Sequence, residues 1–212
     1  MVMKFSFYAL KLSLIIFIVF IIQVIFSGFS ELFILNEQSF SQFWRFLTSI
    51  FLHADLLHLL YNLFALALFG SILESLVGKL KFLVVFFVSG ILANLVSINF
   101  YSNSLGASGA IFGIIGALIM IRPTMFVWAF GLPMPIFVAG ILWAVGDFIG
   151  AVGYLSGNPI NNTGNIAHLS GMFFGFIFGL LFRNKNTKNK KLNYGIVMDE
   201  RYMRDWEERN LK

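Results

Sequence analysis

The chain predicts an all-α polytopic membrane protein, a bundle of six transmembrane helices, and three observations predict it: composition, the length and number of apolar runs, and the placement of charge between them. Of 212 residues, 58% are apolar and only 12% are charged, with a mean hydropathy of +0.84. Soluble domains of this length carry about twice that share of charge, roughly a quarter of their residues. The net charge of +5 does not point to nucleic acid, because the basic residues form no face. They sit at segment ends and in the tail, where lipid headgroups meet them. There is no cysteine, which excludes a thiol nucleophile, disulfides and thiolate metal sites.

Apolar runs of roughly 17 to 25 residues are what a helix needs to cross the hydrocarbon core. The first spans Leu10 to Phe29, beginning beside Lys4 and Lys11. Its front is like that of a signal peptide, but the run is too long and no small-x-small cleavage site follows, so a retained anchor is expected. A loop from Ser30 to Phe51 follows, and then runs over Leu56 to Leu76, Phe82 to Ile98, Ser108 to Ile121, Pro135 to Tyr154 and Ile166 to Phe182. The fourth is short, so its irregular lead-in must be buried in protein or line a cavity. Two parts are expected: a membrane domain over 1–183 and a charged cytoplasmic tail over 184–212.

Charge sets the orientation. Lys4, Lys11, Lys79, Lys81, Arg122, Arg183 and the cluster from Lys185 to Lys191 fall on one side if six helices alternate. The other side carries only Glu31, Glu37, Arg45 and Asp55, and nothing charged in Asn99 to Gly106 or Leu155 to Asn165. The positive-inside rule therefore puts both termini in the cytoplasm. In the tail, Arg183 to Lys191 suits anionic headgroups, while Tyr202 and Trp206 at i, i+4 allow a short interfacial helix, the other reading being a solvated, loosely ordered tail.

Polar groups in so apolar a chain need a reason, since each costs free energy in the bilayer unless it is paired or used. The three histidines and one serine fall into a pattern: His53-x4-His58-x3-Asn62, then Gly106-Ala107-Ser108-Gly109, then Ala167-His168. The second, fourth and sixth helices all begin on the non-cytoplasmic side. His58 and Asn62, at i and i+4, lie within about 40° on one helix face, whereas His53 is off it. Ser108 opens the fourth helix, where unpaired N–H groups and the positive end of the dipole gather. His168, in the first turn of the sixth helix, approaches the same depth.

Serine attacks a carbonyl only if a base takes its proton, and a neutral imidazole can do so. Ser108 is thus the candidate nucleophile and His168 the base. His58, Asn62 and the Ser108 backbone N–H are candidate donors to the oxyanion. No acidic residue is placed by the sequence to complete a triad, so a dyad is expected, with His168 oriented by packing and Phe112 lying against it. Gly106 and Gly109 allow an awkward backbone beside the serine. Gly109, Gly113 and Gly116 can face Gly171, Gly175 and Gly179 in a small-xxx-small seam.

In this order, and on these helices, Trp44-Arg45, His53-x4-His58-x3-Asn62, Gly70-x3-Glu74, the stretch Gly106 to Gly113, and Ala167-His168-x2-Gly171-x3-Gly175 resemble the rhomboid intramembrane serine proteases over roughly Phe43 to Phe182. The resemblance implies a six-helix core, the Ser108–His168 dyad without metal or cofactor, oxyanion support from His58 and Asn62, and transmembrane protein substrates cut near helix-destabilising residues. It also implies that the first loop lies partly in the membrane, that Trp44, Arg45 and Glu74 are structural, and that the fifth helix and a loop regulate entry to the site. Some members carry tyrosine four residues after the serine; here Phe112 lacks that hydroxyl.

Other readings fit less of the chain. His-Glu-x-x-His, the mark of a zinc protease, is absent, and an aspartyl mechanism needs two carboxylates where Asp147 stands isolated in its segment, open to binding a neighbour or water. Every lysine falls on the side away from Ser108, and a three-histidine metal site is opposed by the off-face His53. His53 has two readings, lining a water-filled mouth or bonding the first loop. The alternative to a protease is a catalytically silent rhomboid-like protein that binds transmembrane helices; retention of both Ser108 and His168 separates the two. For a prokaryotic chain the expected location is the cell membrane.

Overall fold

The computed structural model describes residues 7–160 and 164–183; the expected tail over 184–212 and Lys4 lie outside them. Helix α1 (Tyr8–Ile25) leads into a short α2 (Phe29–Phe33), strand β1 (Leu35–Asn36) and α3 (Arg45–Thr48). The second crossing is α4 (Leu56–Ala65) continued through one π turn, Leu66–Gly70, into α5 (Ser71–Val77). Then come α6 (Lys79–Ser97), β2 (Asn103–Ser104), α7 (Ser108–Ile121), β3 (Phe126–Ala129), β4 (Leu132–Pro135), α8 (Ile136–Leu155) and α9 (Asn165–Phe182). Five of the six crossing helices are long and apolar enough to span a bilayer. The sixth, α7, has 14 residues and so is about 21 Å long, as the sequence predicts.

Unlike a soluble protein, the bundle is apolar on its outer surface as well as in its core. Leu14, Val24 and Ile25 on α1, and Ile141, Val145 and Phe148 on α8, are exposed; such a surface is stable only against lipid. The centre is α7, where every residue from Gly109 to Leu118 except Phe112 is buried. Against it pack Phe82 and Phe86 of α6, both fully buried. Alternation of the helices is visible at one end of the bundle. The Glu74 carboxylate near the end of α5 accepts from the N–H groups of Tyr8 (3.2 Å) and Ala9 (3.1 Å), two otherwise unpaired donors at the start of α1. Lys11 and Lys79 lie over the Tyr8 ring, and Lys81 over Phe182 at the end of α9.

At the other end, loop contacts hold the start of α7 in place. Strands β1 and β2 pair antiparallel, Leu35 opposite Ser104 and Asn36 opposite Asn103. Asn94 of α6 donates to Phe46 O (2.8 Å) and Ser49 Oγ (3.0 Å), and the Gly106 N–H donates to Ser49 O at 2.9 Å. The polypeptide entering α7 is thereby tied to the first loop. Between α7 and α8 the chain forms an antiparallel hairpin, β3–β4. Its two-residue turn has positive φ at Phe130 and Gly131, the type I′ geometry that matches strand twist.

Candidate active site

The site is built on a seam between α7 and α9 that glycine makes possible. A Cβ placed on Gly171 would run into the Gly109 carbonyl, one on Gly175 into the Gly113 carbonyl, and one on Gly116 into the Met172 carbonyl. At Gly179 it would stand 2.8 Å from Ala117 O. Backbone therefore meets backbone along the whole contact, the closest approach that membrane helices achieve. A Cβ on Gly109 would lie 3.5 Å from Ala167 O, so the residue after Ser108 sits against the residue before His168.

At the mouth of the seam stands Gly106, with φ +124°, a conformation L side chains rarely adopt. A Cβ there would be 2.8 Å from His58 Cε1, 2.9 Å from His58 Nε2 and 3.8 Å from Ser108 Oγ. The glycine thus lets the His58 ring and the Ser108 hydroxyl share one small space. His58 is carried by the first turn of α4, whose start is capped by Asp55 accepting the His58 N–H at 2.8 Å. One turn on, the buried Asn62 donates from Nδ2 to His58 O at 2.8 Å. That bond uses one of its two amide donors.

His168 lies in the first turn of α9, its ring stacked on Phe112 with centroids 4.3 Å apart and planes 7° from parallel. Packing of this kind is what the sequence predicts for Phe112. One expectation, that no acidic residue is placed beside His168, is corrected by Asp147. Its Oδ1 is 3.0 Å from His168 Nδ1, with each residue only 8% exposed. Asp147 and His168 are 21 residues apart, on two different helices, so no local spacing announces the pair. Among the described residues no hydrogen bond joins Ser108 Oγ to His168; such contacts are often long until substrate is bound.

The family model for the rhomboid domain matches residues 40–185, well over half of the chain. The chain belongs to the rhomboid family. It is 34% identical over 142 residues to RHOMBOID-like protein 7 of Arabidopsis thaliana, covering 66% of this chain and 43% of that protein. To Rhomboid-like protease 1 of Toxoplasma gondii it is 35% identical over 156 residues, 72% of this chain and 51% of the relative. To Rhomboid protease GlpG of Haemophilus influenzae it is 30% identical over 147 residues, 68% of this chain and 72% of GlpG. The chain spans about half the length of the first two. A shorter match, 40% over 80 residues, is to Inactive RHOMBOID-like protein 8 of Arabidopsis thaliana, covering 37% of this chain and 23% of that protein.

The remaining polar residues of this rhomboid domain divide by what they touch. Arg45, 3% exposed, donates to Glu31 O, Ile34 O, Gln38 Oε1 and Gln42 Oε1 at 2.7–3.1 Å, so one guanidinium gathers the first loop. Trp44 differs from its neighbour: its ring is exposed, as are Phe40 and Phe43, an apolar edge suited to the membrane interface. Glu74 caps α1, as described. His53 matches neither expectation fully. Its backbone exchanges bonds with the Gln23 amide at 3.0 and 3.2 Å, but its ring, 2% exposed, has no partner on either nitrogen among the described residues. It packs edge-on to His58 with centroids 5.0 Å apart. Burial lowers the His53 pKa to about 4, with a smaller push from His58. The ring is neutral at pH 7.

Proposed function

We propose that the chain is an intramembrane serine endopeptidase that cuts a peptide bond in or beside a substrate's membrane segment. The observation that carries this reading is the seam, which brings the Ser108 end of α7 against the His168 end of α9 with the imidazole buried and stacked. Ser108 Oγ attacks the scissile carbonyl while His168 takes its proton. The same imidazole then gives that proton to the leaving amine, and water, entering from the non-cytoplasmic side, hydrolyses the acyl-enzyme. The Ser108 N–H at the open start of α7, with the His58 ring and the free Asn62 donor, supports the oxyanion. Cytoplasmic termini and, in a prokaryote, the cell membrane belong to the same proposal.

The test is cleavage of a fluorogenic transmembrane substrate by the purified protein in liposomes. Ser108→Ala and His168→Ala each reduce cleavage to background while substrate capture persists. Survival of cleavage in Ser108→Ala would give the nucleophile's role to another residue. The match to an inactive relative keeps a second reading in view, a silent helix-binding protein; wild-type protein that captures but never cuts would establish it.

A further inference from the structure

We infer that Asp147, carried by α8, is a positioning residue for His168, orienting the base of the proposed Ser108–His168 dyad. The inference rests on the proposed serine chemistry for its consequence, but on the geometry of α8 and α9 for its substance.

Stacking alone leaves the imidazole undetermined. Phe112 fixes the plane of the ring, yet a half-turn about Cβ–Cγ preserves that plane while exchanging the edges. The contact of Nδ1 with Asp147 Oδ1 at 3.0 Å removes this freedom. A carboxylate accepts only, so it selects the tautomer with the proton on Nδ1 and leaves Nε2 as the base. When the Ser108 proton moves to Nε2, an imidazolium forms at a residue 8% exposed. An isolated buried cation there would be costly, and the carboxylate balances it without taking a proton itself. Other groups around the pair are ill suited to this role. His58, on α4, shares the space at Gly106 with Ser108 Oγ, and the Tyr101 hydroxyl, in the α6–α7 connection, accepts the Ile166 N–H at 3.2 Å. Neither is an anion beside Nδ1. An ionisable residue held in a membrane helix is a functional candidate once its partner is identified. Here the partner is the proposed base.

The experiment compares full-length wild type, Asp147→Asn and Asp147→Glu in liposomes, reading kcat and KM separately together with thermal stability. With only three histidines in the chain, ¹⁵N-histidine labelling also reads the His168 tautomer directly, His53→Gln and His58→Gln giving the assignment. Asp147→Asn is expected to lower kcat about a hundredfold with KM changed by less than about twofold, and to lose the pure Nδ1–H signal of His168. Asp147→Glu recovers part of both. Unchanged kcat in Asp147→Asn overturns the inference. So does a loss of activity with the tautomer intact, which would mark a merely structural tie between α8 and α9. If wild type cuts nothing, the protease reading fails by itself, and the tautomer spectrum still decides the role of Asp147: its change in Asp147→Asn upholds the positioning contact and its constancy overturns it.

Discussion

Two of the helices packed against α9, α7 and α8, hold it in opposite ways. Toward α7 it presents Gly171, Gly175 and Gly179, and the contact is backbone against backbone with no room for a methyl group. Toward α8 its marked polar contacts are the His168–Asp147 pair and the Asn165 side chain, which fills the space a Cβ on Gly150 would need. The outward residues of α8, such as Phe148, Ile149 and Val152, are exposed. A seam of the first kind fixes position to a fraction of an ångström. A contact of the second kind fixes orientation through a few directional groups and leaves the helix free to be displaced. Under the proposed function the division has a use: the proposed nucleophile and base sit on the closely packed pair, and α8, the helix proposed to regulate entry, is attached lightly.

The largest expected effect breaks the seam. In Gly175→Val the new side chain meets the Gly113 carbonyl, and backbone cannot rotate aside as a side chain could. Separation of α7 from α9 should cost about 3 kcal/mol or more, with cleavage lost because Ser108 and His168 part. Thermal unfolding in detergent, measured beside Ser108→Ala, checks the cause, since Ser108→Ala loses activity while keeping its melting temperature. A Gly175→Val protein with wild-type stability would show that the seam is looser than its geometry.

Much of this contrast was legible in the residues alone. The six crossings begin and end within a few positions of the apolar runs, because hydrophobic length is a direct requirement of the bilayer. The glycine pairing could be read as well, since Gly109, Gly113 and Gly116 on one helix and Gly171, Gly175 and Gly179 on another leave few other arrangements. The Asp147–His168 contact could not be read. Helix α8 is apolar all round, so periodicity does not say which way residue 147 points when lipid and core are equally greasy. The β3–β4 hairpin was hidden for a related reason: Phe126 to Pro135 is apolar on both faces, and alternation, the usual mark of a strand, is absent.

A second contrast concerns buried imidazoles. His168 has a carboxylate beside it, whereas among the described residues His53 has no partner for either ring nitrogen. With its folded pKa lowered to about 4 from 6.5, His53 binds its proton more weakly in the folded protein than in the unfolded one. Stability from this residue is therefore complete above pH 6.5 and is lost as the pH falls toward 4, by about 3 kcal/mol in total. Melting temperatures measured from pH 7.5 to pH 4.5 should fall more steeply for wild type than for His53→Gln. Parallel curves would mean that the His53 ring is solvated.

The smallest effect sharpens the comparison of the two contacts. Gly146 precedes Asp147 in the interior of α8, and a Cβ there meets nothing within 4 Å, unlike every glycine of the α9 seam. Alanine at this position should favour the helix by up to about 1 kcal/mol through the backbone entropy that glycine forfeits. If α8 acts only as a wall, Gly146→Ala melts slightly higher and cleaves at the wild-type rate. If α8 must bend to admit substrate, the same stabilisation raises KM or lowers kcat, because the hinge has been stiffened without any contact at the site being touched. A glycine tolerated in a lightly attached helix, where nothing crowds it, would then be there for motion, while those in the seam are there for proximity.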